Sequence, residues 1–230
     1  MTTMRQESFT CAVCGTAAEF WHVGSTNTLA LPDLDTRPAE MMRSTLPIQV
    51  QRCPKCGYCA TQVSAPNDRA AAVVATEEYQ SQLTDAHYPE LANSFRCQAL
   101  IEQDRDDLAA ATWAFIHAAW ACDDAHNDPQ AADCRTRAAG LLVKAEQKGT
   151  PITDQPGVNL AILTDLLRRS GQFDRARSEI ETRWNTVFDY TIKNILALQV
   201  GLIEEKDTRR HTVEETEDQY IYNPLPKTKN

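Results

Sequence analysis

Two regimes of patterning divide the chain. Up to about residue 65 the apolar positions come in short clusters between turn residues. Phe20 to Val23, Thr28 to Leu31 and Ile48 to Arg52 predict short strands of a small sheet. Past Pro66 and Asn67 the period becomes helical. Asn67 or Asp68 is placed to cap a first helix reaching about Leu83. Pro89 opens a second, whose apolar positions are Leu91, Phe95, Leu100 and Ile101. A third runs from Leu108 to about Cys122 and puts Trp113, Ile116, His117 and Trp120 on one face. Asp128 and Pro129 read as the N-cap and first residue of a fourth, ending near Gly149. A fifth spans about Val158 to Arg169, a sixth follows the turn at Gly171, and a seventh covers about Phe188 to Glu205. The stretch from Val213 is acidic and then rich in proline and lysine, which predicts a mobile tail. The expected fold class is α+β, mostly α. A small β head (1–65) precedes a stack of antiparallel helices (66–212) and the tail (213–230).

Composition sharpens this division. Five of the eight cysteines lie in the head. Hydrophobic residues make up 42% of the 230, enough for a core. The net charge is −9, carried entirely beyond residue 63: residues 1–63 hold five Lys/Arg and five Asp/Glu. An acidic chain with a neutral head argues against phosphate-directed binding of nucleic acid. No run approaches the roughly 18 apolar residues of a membrane span, so no membrane partner is expected. The start, MTTMRQESFT, lacks an apolar h-region, and the expected location is cytoplasmic. In a reducing compartment eight cysteines speak for metal binding or burial, not for disulfides.

The cysteines of the head form two matched units, Cys11-Ala-Val-Cys14-Gly15 and Cys53-Pro-Lys-Cys56-Gly57. Two-residue spacing lets both thiolates of a tight turn face one ion, and the following glycine permits the positive-φ step that closes the turn. Two such knuckles supply the four soft ligands of a tetrahedral Zn²⁺ site. With all four positions taken by protein thiolates the site is closed, hence structural, and its binding energy is folding energy. The head is thus expected to be a zinc-ribbon-like domain with one structural Zn²⁺ on Cys11, Cys14, Cys53 and Cys56. Cys59 is an accessory candidate, as a substitute ligand or an oxidant sensor, against the plainer reading of a small buried residue. His22 is weighed likewise as a replacement ligand against a simple strand position.

Between the knuckles, Asp33, Asp35 and Arg37 stand between Pro32 and Pro38. They form a candidate interaction loop, or a loop stiffened by pairing of Asp33 or Asp35 with Arg37. Met41 and Met42 are placed to cover the apolar face of the ribbon or dock it onto the helices. Cys122, His126 and Cys134 are weighed as a second metal cluster against ordinary buried or half-exposed positions. Arg209 and Arg210 are weighed as contacts to an anionic ligand against partners of a helix dipole.

Leu163 to Ala176, with Gly171, Phe173 and Ala176, looks like the turn of a tetratricopeptide repeat, so the helices are expected to stack in tetratricopeptide-like pairs. The order of the first knuckle, Asp-Leu-Asp-Thr-Arg-Pro and Cys-Pro-Lys-Cys-Gly-Tyr resembles the bacterial proteins catalogued as domain of unknown function 2225, most specifically over residues 11–58. A second resemblance, to the CpXC class of presumed zinc domains, is weakened by Ala12, where that class usually has proline. The first resemblance implies a zinc-ribbon head on tetratricopeptide-like helices, with ligand roles on Cys11, Cys14, Cys53 and Cys56, and no reaction. No motif for a catalytic serine, a phosphate loop, a zinc protease or a dinucleotide site is present. The expected function is therefore non-enzymatic, a zinc-stabilised interaction or scaffold protein that takes a protein or peptide partner through the helical stack or the ribbon surface. A nucleic-acid-binding or regulatory ribbon and a thiol redox sensor built on Cys59 are the alternatives. Pathway, partner identity and oligomeric state are not readable from the chain.

Overall fold

A computed structural model describes residues 1–216; the part of the expected tail beyond Thr216 lies outside the described residues. The head opens with a hairpin, β1 (Thr3–Thr10) against β2 (Ala17–Ser25), joined by the first knuckle. β1 was not anticipated from the sequence, because its polar residues (Arg5, Gln6, Glu7 and Ser8) face mainly solvent and show no apolar alternation. Thr28 to Leu31, expected as a strand, contributes only an isolated bridge from Thr28 to Met41. The expected strand from Ile48 is also shorter. A 3-10 turn occupies Arg43–Ile48, and β3 (Gln51–Arg52) pairs antiparallel with β4 (Cys59–Ala60) across the second knuckle.

The helices then follow in order: α1 (Ala70–Val74), α2 (Glu77–Leu83), α3 (Glu90–Asp104), α4 (Leu108–Asp124), α5 (Asp128–Gln147), α6 (Pro156–Arg169), α7 (Phe173–Arg183) and α8 (Tyr190–Glu204). The single helix expected up to Leu83 is broken after Val74, because Thr76 turns extended and caps α2 by accepting from the Tyr79 N–H. Asp107 and Asp189 cap α4 and α8 in the same manner. At the C-termini a left-handed residue recurs: Asp106, His126, Gly149, Gly171 and Lys206 all have φ between 53° and 77°. Neighbouring helices pack in sequence, and α6 also packs on α8, which gives α6, α7 and α8 the arrangement of a repeat pair plus the next helix. No helix of the described residues is long and apolar enough to cross a membrane.

Head and helices share one continuous core, so the change at residue 65 is one of local structure and not of packing. Residues from Val213 do not start the tail. Val213–Thr216 forms a 3-10 turn against α8, with Thr216 buried. Just before it, the Val213 N–H donates to the Pro32 carbonyl and the Leu34 N–H to that of His211, so the segment after α8 pairs with the loop of the head.

The aromatic face foreseen on α4 is covered. His117 lies 4.9 Å from Trp120 and 5.2 Å from Phe95 of α3, measured between ring centres. Burial holds its pKa down to about 4, with Asp35 opposing and Arg37 reinforcing the shift. An unfolded imidazole takes its proton near pH 6.5, whereas this one stays neutral until about pH 4. The unfolded chain therefore binds more protons in that window, and stability falls as the pH drops through it. We expect His117→Leu to remove a pH-dependent loss of about 3 kcal/mol between pH 6.5 and 4. Urea unfolding of the two proteins across that range checks it.

Candidate metal centre

Each knuckle is a backbone device before it is a ligand set. The Cys11 N–H donates to the Thr16 carbonyl and the Gly15 N–H returns to the Cys11 carbonyl, both at 2.9 Å. In the second knuckle the Cys53 N–H donates to the Tyr58 carbonyl at 2.8 Å and the Gly57 N–H to that of Cys53 at 3.0 Å. Gly15 and Gly57 take φ of 69° and 75°, as the closing step requires. The Ala12 N–H donates to the Val63 carbonyl, which ties the first turn to the chain beyond β4.

The two turns face each other. The sulfurs of Cys11, Cys14, Cys53 and Cys56 all lie within 4.8 Å of one another. Cys11 Sγ is 3.7 Å from Cys56 Sγ, and Cys14 Sγ is 3.6 Å from Cys53 Sγ. A tetrahedron with metal–sulfur bonds of about 2.3 Å has edges of about 3.8 Å, so these four atoms fit one tetrahedral ion. A disulfide would need about 2.05 Å, far below either separation. The Thr16 hydroxyl and backbone N–H beside Cys14 bring its thiol down to about 6. Burial pushes Cys11 and Cys56 the other way, and a cation bound by the cluster would favour their ionised forms.

The remaining candidates fall outside this centre. Cys59 is fully buried, donates to the Gly57 carbonyl at 3.2 Å and neighbours Cys97, so it is not placed to be a fifth or substitute ligand. Cys59 and Cys97 both have no solvent exposure, which keeps this pair out of direct reach of a dissolved oxidant. His22 packs 5.0 Å from Phe9 and turns its Nε2 toward Gln51, as a strand residue. Cys122 and Cys134 meet in the interior between α4 and α5, but His126 is exposed: it is the left-handed residue that ends α4. That cluster is not assembled, and among the described residues the four knuckle cysteines form the one group of metal-ligating geometry.

The loop of Asp33, Asp35 and Arg37 is not an exposed recognition surface, since all three are buried. Nor does Arg37 pair its side chain with either aspartate. Its guanidinium reaches Asp124 Oδ2 at 2.6 Å and the Trp120 carbonyl at 3.4 Å, and only its backbone N–H meets Asp35. Asp35 accepts from Trp120 Nε1 at 2.8 Å and from Arg169 at 3.1 Å; Asp33 accepts from Arg43 and Arg210. The loop is a plug that joins the head to the ends of α4 and α6. Arg209 and Arg210, weighed from the sequence as anion contacts or helix-dipole partners, pair with Asp207 and Asp33 respectively.

A second tie passes through Tyr79. Its hydroxyl accepts from the Cys59 N–H at 2.9 Å and donates to the Gly57 carbonyl at 3.0 Å, both fully inside the protein. Sequence reasoning missed this residue, and the only signal for it was a tyrosine on the apolar face of a short helix.

The two glycines separate strain from packing. A Cβ on Gly15 meets nothing within 4 Å, whereas one on Gly57 overlaps Leu83. Gly15→Ala should cost only the positive-φ penalty of about 1–2 kcal/mol. Gly57→Ala should cost more, because Leu83 has to move away from α2's contact with the knuckle. Guanidinium unfolding of the metal-loaded variants ranks them.

No family model matches this chain, and no curated protein or solved structure matches it at a significant level.

Proposed function

We propose that the chain is a non-enzymatic protein-interaction module in which one structural Zn²⁺ fastens the ribbon head to the helices. The observation that carries the metal part is the tetrahedral spacing of the four sulfurs. Four thiolates favour zinc over hard cations, and a closed set leaves no position for substrate or water. The ion adds to the shared core where apolar cover is thinnest, because most of β1 and β2 is exposed.

The partner surface is the outer face of the hairpin. The register places Met4 beside Val23 and Gln6 beside Trp21 on the side that turns away from Phe9 and Phe20. Met4 and Trp21 are 54% and 50% exposed, and the following loop exposes Leu29 at 74%. A rigid aromatic next to a flexible thioether on an exposed strand is the chemistry of a protein-binding anchor. The helical alternative has less support, because the aromatic face of α4 is covered by α3 and by the Asp35 loop.

Two outcomes test this. Purified protein should carry one zinc per chain, and its cobalt form should show tetrahedral thiolate absorption. Cys11→Ser, Cys14→Ser, Cys53→Ser and Cys56→Ser should each lose the metal, and Cys59→Ser should keep it. Separately, a photo-crosslinking residue at position 21 should give a discrete adduct with another protein in cells, while one at the exposed position 175 should not. A Met4→Ser/Trp21→Ser variant should keep its stability within about 0.5 kcal/mol and compete poorly for that partner. Adducts equal at both positions, or none at 21, would count against the hairpin as the binding face.

A further inference from the structure

Where the head loop meets the helices there is a cavity of about 390 Å³. Its wall draws on every part of the fold that converges there: the loop between the knuckles, the end of α4, the start of α5, the end of α6 and the segment after α8. Six arginines line it, Arg37, Arg43, Arg135, Arg169, Arg209 and Arg210, against three aspartates, Asp123, Asp124 and Asp128. This is an unusual wall for an acidic protein with a net charge of −9.

The carboxylates around the cavity hold the guanidiniums in place. Asp123 receives both Arg135 and Arg169. Asp35 takes the other arm of Arg169, Asp33 takes Arg43 and Arg210, and Asp124 takes Arg37. Asp33 and Asp35 are buried behind the wall and do not line the cavity. Asp123, Asp124 and Asp128 reach the wall with the six arginines, so cations outnumber carboxylates on the lining itself. Arg37, Arg135 and Arg169 have almost no exposed side chain, and each keeps a buried Nε–H with no protein acceptor. Those Nε–H groups are sealed from solvent, so the donors left for an anion are the guanidinium ends on the wall, above all the exposed Arg209 and Arg210.

The positions of these arginines are also fixed from outside. Arg168, fully buried beside Asp165, donates to the carbonyls of Asp207 and Arg209 and so pins the segment that carries Arg209 and Arg210. Thr36, between the two buried loop residues Asp35 and Arg37, holds φ of 68°, a left-handed conformation that a β-branched residue adopts only when its surroundings force it.

We propose that this cavity binds a small phosphorylated ligand, with the phosphate oxygens received by the arginine cluster. Guanidinium forks match phosphate bidentately, and several converging forks suit a group with three outer oxygens and up to two charges. The volume exceeds that of phosphate alone and falls in the range of small-molecule sites, which leaves room for an organic body. The site stands apart from the metal centre and does not depend on the partner-binding reading.

Calorimetry on the full zinc-loaded chain at low ionic strength tests it, with inorganic phosphate, pyrophosphate and citrate as probes at matched ionic strength. Pyrophosphate should bind more tightly than phosphate, and both more tightly than citrate. The exposed pair Arg209 and Arg210 can be changed with little risk to the core. Arg209→Gln/Arg210→Gln should weaken pyrophosphate at least about tenfold, and Arg177→Gln on the far surface of α7 should leave it unchanged. Absence of binding by either phosphate overturns the proposal. So does citrate binding as tightly, or a folded double variant that binds like the parent. If the double variant fails to fold, the comparison of phosphates with citrate decides alone.

Discussion

Everything in the head depends on two tight turns meeting at one point. Its longest strands are exposed along most of their length, and its second sheet is two residues wide on each side. Along the hairpin, burial alone does little to offset the entropy of ordering the chain. The four sulfurs could hold a metal ion, and an ion at their centre would change that balance by fixing both turns against each other whatever the surrounding apolar area. The pull on Cys14 by Thr16 and the opposite push of burial on Cys11 and Cys56 fit this picture: the cluster is comfortable as a set of thiolates only around a cation.

A head whose two knuckles meet still has to be attached. Tyr79 does this within the second knuckle by satisfying the Cys59 N–H and the Gly57 carbonyl from α2, and Leu83 on the same helix fills the space beside Gly57. On the opposite side the loop of Asp33 to Arg37 enters the helical part as a set of buried ion pairs. Such pairs seldom add net stability over apolar packing, since each charge gives up its hydration. Their effect is on uniqueness: only one seating of the loop gives Arg37, Asp35 and Asp33 all their partners. Losing Arg169 leaves buried Asp35 without a cation, and losing Asp124 leaves buried Arg37 without a carboxylate, so the head has a single way to sit.

What could be read from the chain and what could not divides by distance along it. The cysteine knuckles, the caps and the helical stripes are local patterns, with partners a few residues apart, and the four ligands and α3 to α8 emerge from them. The breaks in the reading have local causes too: β1 hides because its outward face is polar, and the first helix splits because Thr76 offers a better cap than a helical position. The loop was misread for another reason. An Asp-Leu-Asp-Thr-Arg motif between two prolines looks solvent-facing, and its partners lie 85, 87 and 134 residues away. No spacing rule connects them. His126 shows the plainer alternative for such a residue, since here it takes the left-handed φ that ends a helix and no metal-ligating place.

The same long-range pairing explains how an acidic protein comes to hold a cationic cavity. Net charge counts residues without regard to depth, and here depth is the variable that matters. Asp33 and Asp35 are drawn inward by Arg43, Trp120 and Arg169, and burial already pushes the Asp33 carboxyl upward. With Asp33 and Asp35 behind the wall, only Asp123, Asp124 and Asp128 face the six arginines on the lining, and its accessible side carries more cations than anions. A surface patch of the same composition would interleave its charges and be screened within a Debye length. In the cavity the field is focused by low-dielectric walls, and the guanidiniums are oriented before any ligand arrives. An anion therefore meets donors whose ordering has been supplied by folding, so little of its binding energy goes to arranging them.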